Sequence, residues 1–136
     1  MLGDLVYECK GKVVGMRVLE NGHVEYTAMV GGMFMGEQFS STATWESQFR
    51  PDGSGYGEIR GVFTTQSGAR GSYKGNGNGH PLPDGSQVHL GALCYSNPPG
   101  KFAELNKIAV VYEGNVDKEG NFQSKGWAWK ESDGSG

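Results

Sequence analysis

Short runs of alternating apolar and polar residues fill this chain, and turn signals break them at close intervals. Val, Thr, Tyr and Phe concentrate in the runs. Asn21-Gly22, Pro51-Asp52-Gly53, Ser67-Gly68, Pro83-Asp84-Gly85 and Glu119-Gly120 fall between them. A period of two punctuated by Gly-containing turns is the mark of antiparallel hairpins. The pattern predicts strands near residues 5–18, 24–32, 34–48, 56–65, 70–80, 87–96, 107–117 and 121–130. Only GKFAELNK (100–107) reads as a helix, one or two turns long, with Pro98-Pro99 before it as a helix start. The tail KESDGSG reads as frayed. Neither a linker nor a repeat interrupts the plan, so residues 1–136 read as a single domain.

The stretch RGSYKGNGNGH (70–80) places glycine at 71, 75, 77 and 79, on one face of a strand. Glycine weakens a strand interior, so a stripe of it needs a reason. Eight antiparallel strands rich in glycine point to a closed up-and-down barrel, because a small barrel must coil sharply and interior glycines permit it.

Turn chemistry sets the register. Let the loops at 51–53, 66–68 and 83–85 be three-residue turns with Gly in the left-handed position. Arg50 then faces Ser54, Thr65 faces Ala69, and Leu82 faces Ser86. Odd residues pair with odd ones through four consecutive strands. One face collects Phe39, Ala43, Trp45, Phe49, Ile59, Phe63, Tyr73, His89, Leu93 and Tyr95 with the glycines, and the other collects Glu46, Glu58, Arg60, Lys74, Asn76 and Asn78. An apolar inside and a polar outside is what a correct register gives. It also sets Glu46 against Glu58 and Arg60 against Lys74, which is unfavourable for like charges. A two-residue turn at 66–68 would instead swing Tyr56, Glu58 and Arg60 over the glycine floor. In the first register Tyr73 lies opposite Tyr95, Gly77 opposite Gly91 and His89 opposite Gly79, leaving either an aromatic-walled cavity or a lumen filled by large rings.

Composition narrows the partners. Net charge is −3 and the basic residues are scattered, which argues against nucleic acid. No apolar run approaches the length of a membrane span. The N-terminal MLGDLVYECKGK lacks the plan of a signal peptide, so a cytoplasmic location is expected. Cys9 and Cys94 have no metal spacing, and a disulfide between them stays open.

Few residues suggest chemistry. GNGNG resembles a phosphate loop only until Pro81, where a hairpin replaces the helix such a loop needs. His89 in the lumen could exchange a proton near neutral pH; the commoner reading of such a residue is a hydrogen-bonded core histidine. Glu37 shares the inward parity, where an apolar lumen would raise its pKa and fit it to shuttle a proton; alternatively it lies in water at the barrel mouth. His23, His80 and His89 are too dispersed for a metal site, and no cofactor is expected. The outward residues Val88, Leu90, Val111, Trp127 and Trp129 are apolar, which predicts a homo-oligomer through that strip.

The plan resembles the allene oxide cyclase-like barrels, a calycin-like group with uncharacterised bacterial and archaeal members. RPDGSGYGEIRGVFTT (50–65), GSYKGNGNG (71–79), DGSQVHLGALCY (84–95), KFAELNK (101–107) and VYEGNVDKEGNFQSKGWAWK (111–130) carry the resemblance. It implies an oligomeric barrel with a mainly apolar lumen. The plant cyclases of the group work without a cofactor, closing a ring in an unsaturated fatty-acid epoxide. Their early-strand glutamate and asparagine have no clear counterparts, Glu8 being nearest in position.

The expected function is binding of a small, mainly apolar molecule by Trp45, Phe49, Ile59, Phe63, Tyr73, Leu93 and Tyr95. Any catalysis would be cofactor-free cyclisation or isomerisation, with His89 or Glu37 transferring the proton. The rival expectation is a non-enzymatic assembly protein with a filled barrel.

Overall fold

Each predicted strand forms. The computed structural model describes residues 2–96 and 100–132, in which β1 (Leu2–Val18), β2 (Val24–Phe34), β3 (Glu37–Phe49), β4 (Gly55–Thr65), β5 (Arg70–Pro81), β6 (Gln87–Ser96), β7 (Ala109–Val116) and β8 (Asn121–Trp129) close in chain order into an antiparallel up-and-down barrel. A 3₁₀ helix spans Gly100–Lys107. Pro98-Pro99 and the end of the tail, from Asp133, lie outside the described residues. No helix among the described residues is long and apolar enough to cross a membrane.

The three-residue turns set the register. Arg50 donates its amide to the Ser54 carbonyl at 2.8 Å, Thr65 to Ala69 at 2.9 Å and Leu82 to Ser86 at 2.8 Å. Gly53, Gly68 and Gly85 take φ of 88°, 89° and 88°, a conformation that excludes most side chains. Asp52 and Asp84 lock their loops by accepting the Ser54 and Ser86 amides, each at 2.9 Å. Glu58 therefore pairs with Asn76 and Arg60 with Lys74 on the outer face, and the two-residue turn at 66–68 does not occur. The like-charged neighbours find relief sideways: Glu46 accepts from His23 at 2.6 Å, and Arg60 lies 3.7 Å from Glu25.

The β2–β3 turn differs from the sequence expectation. β2 runs on to Phe34 and β3 starts at Glu37, so the turn is Met35-Gly36, with φ of 47° and 84°. This two-residue hairpin needs left-handed backbone at both positions. A methionine there gives no turn signal.

The barrel ends are unlike. At one end the Phe34 ring, 1% exposed, packs against Phe63, Phe102, Phe39 and Tyr95 at centroid separations of 4.9, 5.3, 5.5 and 5.6 Å. Phe102 and Leu105 come from the 3₁₀ helix, which closes this end. The Lys101 ammonium reaches Glu37 across the closure at 2.7 Å. At the other end β1 continues to Val18, beyond Lys12, the last residue it pairs with β8. Met16 pairs with Tyr26 and Val18 with Val24, in the same cross-strand rows as Trp45 and Ser47. That side of the rim stands higher, with Met16 and Val18 strongly exposed.

Candidate functional site

The glycine stripe makes room for rings. A Cβ on Gly61 would collide with the Tyr73 ring, one on Gly71 with Phe63, one on Gly126 with Tyr7, and one on Gly77 or Gly91 with the Tyr112 hydroxyl. A Cβ on Gly75, Gly77 or Gly91 would first meet the Ala92, Leu90 or Asn76 carbonyl respectively, where β5 and β6 approach too closely for a side chain. The stripe thus serves both the coiling of the sheet and the seating of aromatic side chains.

What remains between the rings is a cavity of about 70 Å³, running from the aromatic plug toward the high rim. That is room for several waters or part of a small ligand. Every binding residue expected from the sequence lines it. Ile59 and Leu93 form wall, and Phe49, half exposed, stands at the rim. Trp45 stacks on Tyr26 at 5.5 Å, lies 5.9 Å from Phe122 and meets His89 edge-on at 6.2 Å. Phe63, Tyr73 and Tyr95 form the deeper wall, Tyr95 lying 5.4 Å from Tyr73 and 5.7 Å from Phe63.

The two proton-transfer candidates part company. His89 lines the cavity opposite Gly79. Burial, and then the charge of His80, lower its pKa below 6.5, so it is a neutral imidazole at pH 7. Glu37 does not line the cavity. It sits at the plugged end, where Lys101 and the Ser67 amide, 3.0 Å away, hold its carboxyl down at about 2. A lumen shuttle would need that shift in the opposite direction. The barrel-end position is the one this residue occupies.

Several lining groups carry no sequence signal. Tyr7 and Ser124 share a hydrogen bond of 2.8 Å, and Ser41 and Tyr73 share one of 2.7 Å. The buried Cys9 thiol lies beside Ser124 and is pushed up to about 12, mainly by burial. Burial also raises Tyr7 and Tyr95, and pushes Tyr73 and Tyr112 up to about 12, so all four phenols are neutral. Cys94 is free and exposed on the outer face, remote in orientation from Cys9. Glu8 also points outward, 3.9 Å from Lys125. Among the described residues no group of His, Cys, Asp and Glu gathers as a metal site, and no Lys, Arg, Asp or Glu lines the cavity.

Neither a family model nor a curated protein matches this sequence. Solved structures do match the fold. A conserved protein of unknown function from Rhodopseudomonas palustris aligns with a TM-score of 0.73 at 10% identity, over 95% of this chain and 98% of its own. A protein of unknown function from Clostridium acetobutylicum aligns with a TM-score of 0.73 at 13% identity, over 93% and 98%. At such identities the likeness is one of fold.

Proposed function

We propose that the protein binds a small, mainly apolar molecule in the barrel lumen, taken up over the high rim. One observation carries the reading: the cavity is closed by an aromatic plug at one end, open at the other, and lined without a charged carboxylate, ammonium or guanidinium. Trp45, Phe49 and Phe122 offer the ligand aromatic faces near the rim, with Ile59, Tyr73, Leu93 and Tyr95 below. Apolar burial drives such binding. Any reaction in this lumen is a cyclisation or isomerisation without cofactor, in which the cavity holds the substrate in a reactive shape. His89 is the lining residue able to exchange a proton near neutral pH. The resemblance to allene oxide cyclase-like barrels belongs with this reading.

The test is titration with a small apolar fluorophore, beside native mass spectrometry of the freshly purified protein. One saturable site per chain, lost in Ile59→Trp, which fills the lumen, is the expected result. No uptake by the wild type, and no added mass, would sink the proposal.

A second reading concerns the outside. Leu5, Trp127, Val111 and Ala92 form one cross-strand row over four neighbouring strands, with Leu90 and Trp129 half exposed beside it. An apolar strip across a sheet suits contact with a second copy of the chain. It is compatible with lumen binding, and it would be the main working surface if the lumen proved inert.

A further inference from the structure

The proton count at the cavity's hydroxyls restricts the ligand. Ser41 Oγ donates to the Val62 carbonyl at 2.8 Å. A serine hydroxyl has one proton. In the 2.7 Å contact between Ser41 and Tyr73 the phenol must therefore be the donor. That uses the single proton of Tyr73, whose oxygen is left with acceptor capacity only. The Tyr7–Ser124 pair is different. Its 2.8 Å hydrogen bond uses one of two hydroxyl protons, whichever residue donates, and the other remains to be given. Tyr7, Ser41, Tyr73 and Ser124 all line the same cavity, so these two pairs together offer an acceptor at Tyr73 and a donor at Tyr7–Ser124, beside the separate polar groups of His89, Tyr95 and Tyr112.

Charge is the second restriction. With no Lys, Arg, Asp or Glu in the lining among the described residues, and with burial holding His89 toward its neutral form, a carboxylate or ammonium brought to this depth would meet no standing counter-ion. An unpaired buried charge costs far more than a hydrogen bond returns.

Resting on the lumen-binding reading above, we infer that the ligand is an uncharged molecule bearing a hydroxyl group, an alcohol, phenol or enol. Its O–H donates to Tyr73 Oη, and its oxygen accepts the spare proton of the Tyr7–Ser124 pair. A hydroxyl both donates and accepts, matching the two complementary needs. A carbonyl or ether oxygen only accepts, and leaves Tyr73 without a proton. The apolar remainder of the ligand extends toward Trp45 and Phe122, whose rings flank the way to the rim.

Four probes of one skeleton test this: p-cresol, its methyl ether, toluene and p-toluate, with affinities measured by ligand-observed NMR at pH 7. The cresol should bind best, by roughly three- to tenfold over the ether, the range expected of one net hydrogen bond, and by about thirtyfold over toluene, which makes neither bond. The toluate should bind weakest. Tyr73→Phe keeps the ring and removes the acceptor but leaves the Tyr7–Ser124 donor, so the cresol should fall to the level of its methyl ether while toluene itself is unchanged. Ser41→Ala releases the Tyr73 proton into the lumen, so the methyl ether should gain on the cresol. Equal binding of cresol, ether and toluene, indifferent to both substitutions, would overturn the hydroxyl assignment and leave lumen binding standing. Toluate binding as tightly as cresol would overturn it as well. Failure of all four probes to bind would remove the lumen-binding reading and the hydroxyl assignment with it.

Discussion

The ring of Tyr73 occupies the space that a Cβ on Gly61 would fill, directly across the β4–β5 ladder from it. This contact sets where the Tyr73 hydroxyl reaches Ser41, and so fixes the polar part of the lumen. Gly61→Ala should displace the ring, strain the core and break that hydrogen bond. The expected loss is about 2–4 kcal/mol by urea denaturation. Gly57→Ala on the same strand is the control. Its Cβ would meet only the Glu46 carbonyl, at 3.6 Å, so a change within about 1 kcal/mol is expected. Equal losses at the two positions would mean that strand propensity, and not the seating of Tyr73, sets the cost.

Phe34 holds the plugged end by touching four other rings, including Phe102 of the 3₁₀ helix. Phe34→Ala should cost about 3–5 kcal/mol, in the range for a fully buried phenylalanine. It should also loosen the helix, seen as faster amide exchange at Phe102 and Leu105. A small loss with unchanged exchange would show that the plug does not depend on this ring.

Three Gly-containing turns were enough to read the register of β3 through β6, because each fixes which residues face each other and parity does the rest. The lumen wall on those strands was legible for that reason. On β1 the signal fails. Irregularities between Leu2 and Leu5, Leu5 and Tyr7, and Val13 and Gly15 break the period of two, so nothing marks Tyr7 and Cys9 as inward. The Met35-Gly36 turn hides the register of β2, and with it the place of Phe34, because methionine does not announce left-handed backbone. Ser41 shares the inward parity of Phe39 and Ala43, but parity gives only its direction and not the partner of its hydroxyl. The two hydroxyl pairs of the lumen join residues far apart in sequence, which no local pattern reports.

The link between Glu37 and Lys101 ties the β2–β3 turn to the closing helix, and it has a predictable pH window. The Glu37 pKa falls from 4.5 to about 2, first through Lys101 and then through Ser67. A carboxyl depressed in the folded state adds stability that is complete above its unfolded pKa and lost as pH falls through the folded one. Wild type should therefore exceed Glu37→Gln in stability above about pH 4.5, and the difference should vanish toward pH 2. Urea denaturation of both proteins across this interval checks it. Lys101→Met should bring the Glu37 titration, followed by carboxyl NMR, back toward 4.5.

His89 should titrate below 6.5, because burial disfavours its cation and His80 adds to the effect. The folded protein prefers the neutral ring. The resulting stability is full above pH 6.5 and lost as pH falls through the lowered folded value. Ring NMR should place the midpoint below 6.5, and saturating toluene, by excluding water from the lumen, should lower it further. His89→Gln should remove this component of the pH dependence. A midpoint at or above 6.5 would mean that His89 is solvated or faces an anion, and would end its assignment to an apolar lumen.

The outer strip is tested by charge. Leu5 is turned outward by the irregularity before Tyr7 and pairs with Trp127; Trp127 pairs in turn with Val111, and Val111 with the Ala92 row. Trp129, 49% exposed, continues this surface beside Leu2, 54% exposed. A tryptophan in the centre of an interface commonly contributes about 2 kcal/mol or more, equivalent to roughly a thirtyfold change in association. Trp129→Glu should therefore shift the sedimentation profile toward monomer at micromolar concentration and leave fluorophore uptake by the lumen intact. Leu82→Glu, at a partly exposed loop position away from the strip, should leave the profile unchanged. A wild type that sediments as a monomer at every concentration would remove self-association through this face. The exposed tryptophan would then need another partner, while the lumen assignment, resting on the opposite faces of the same strands, would be unaffected.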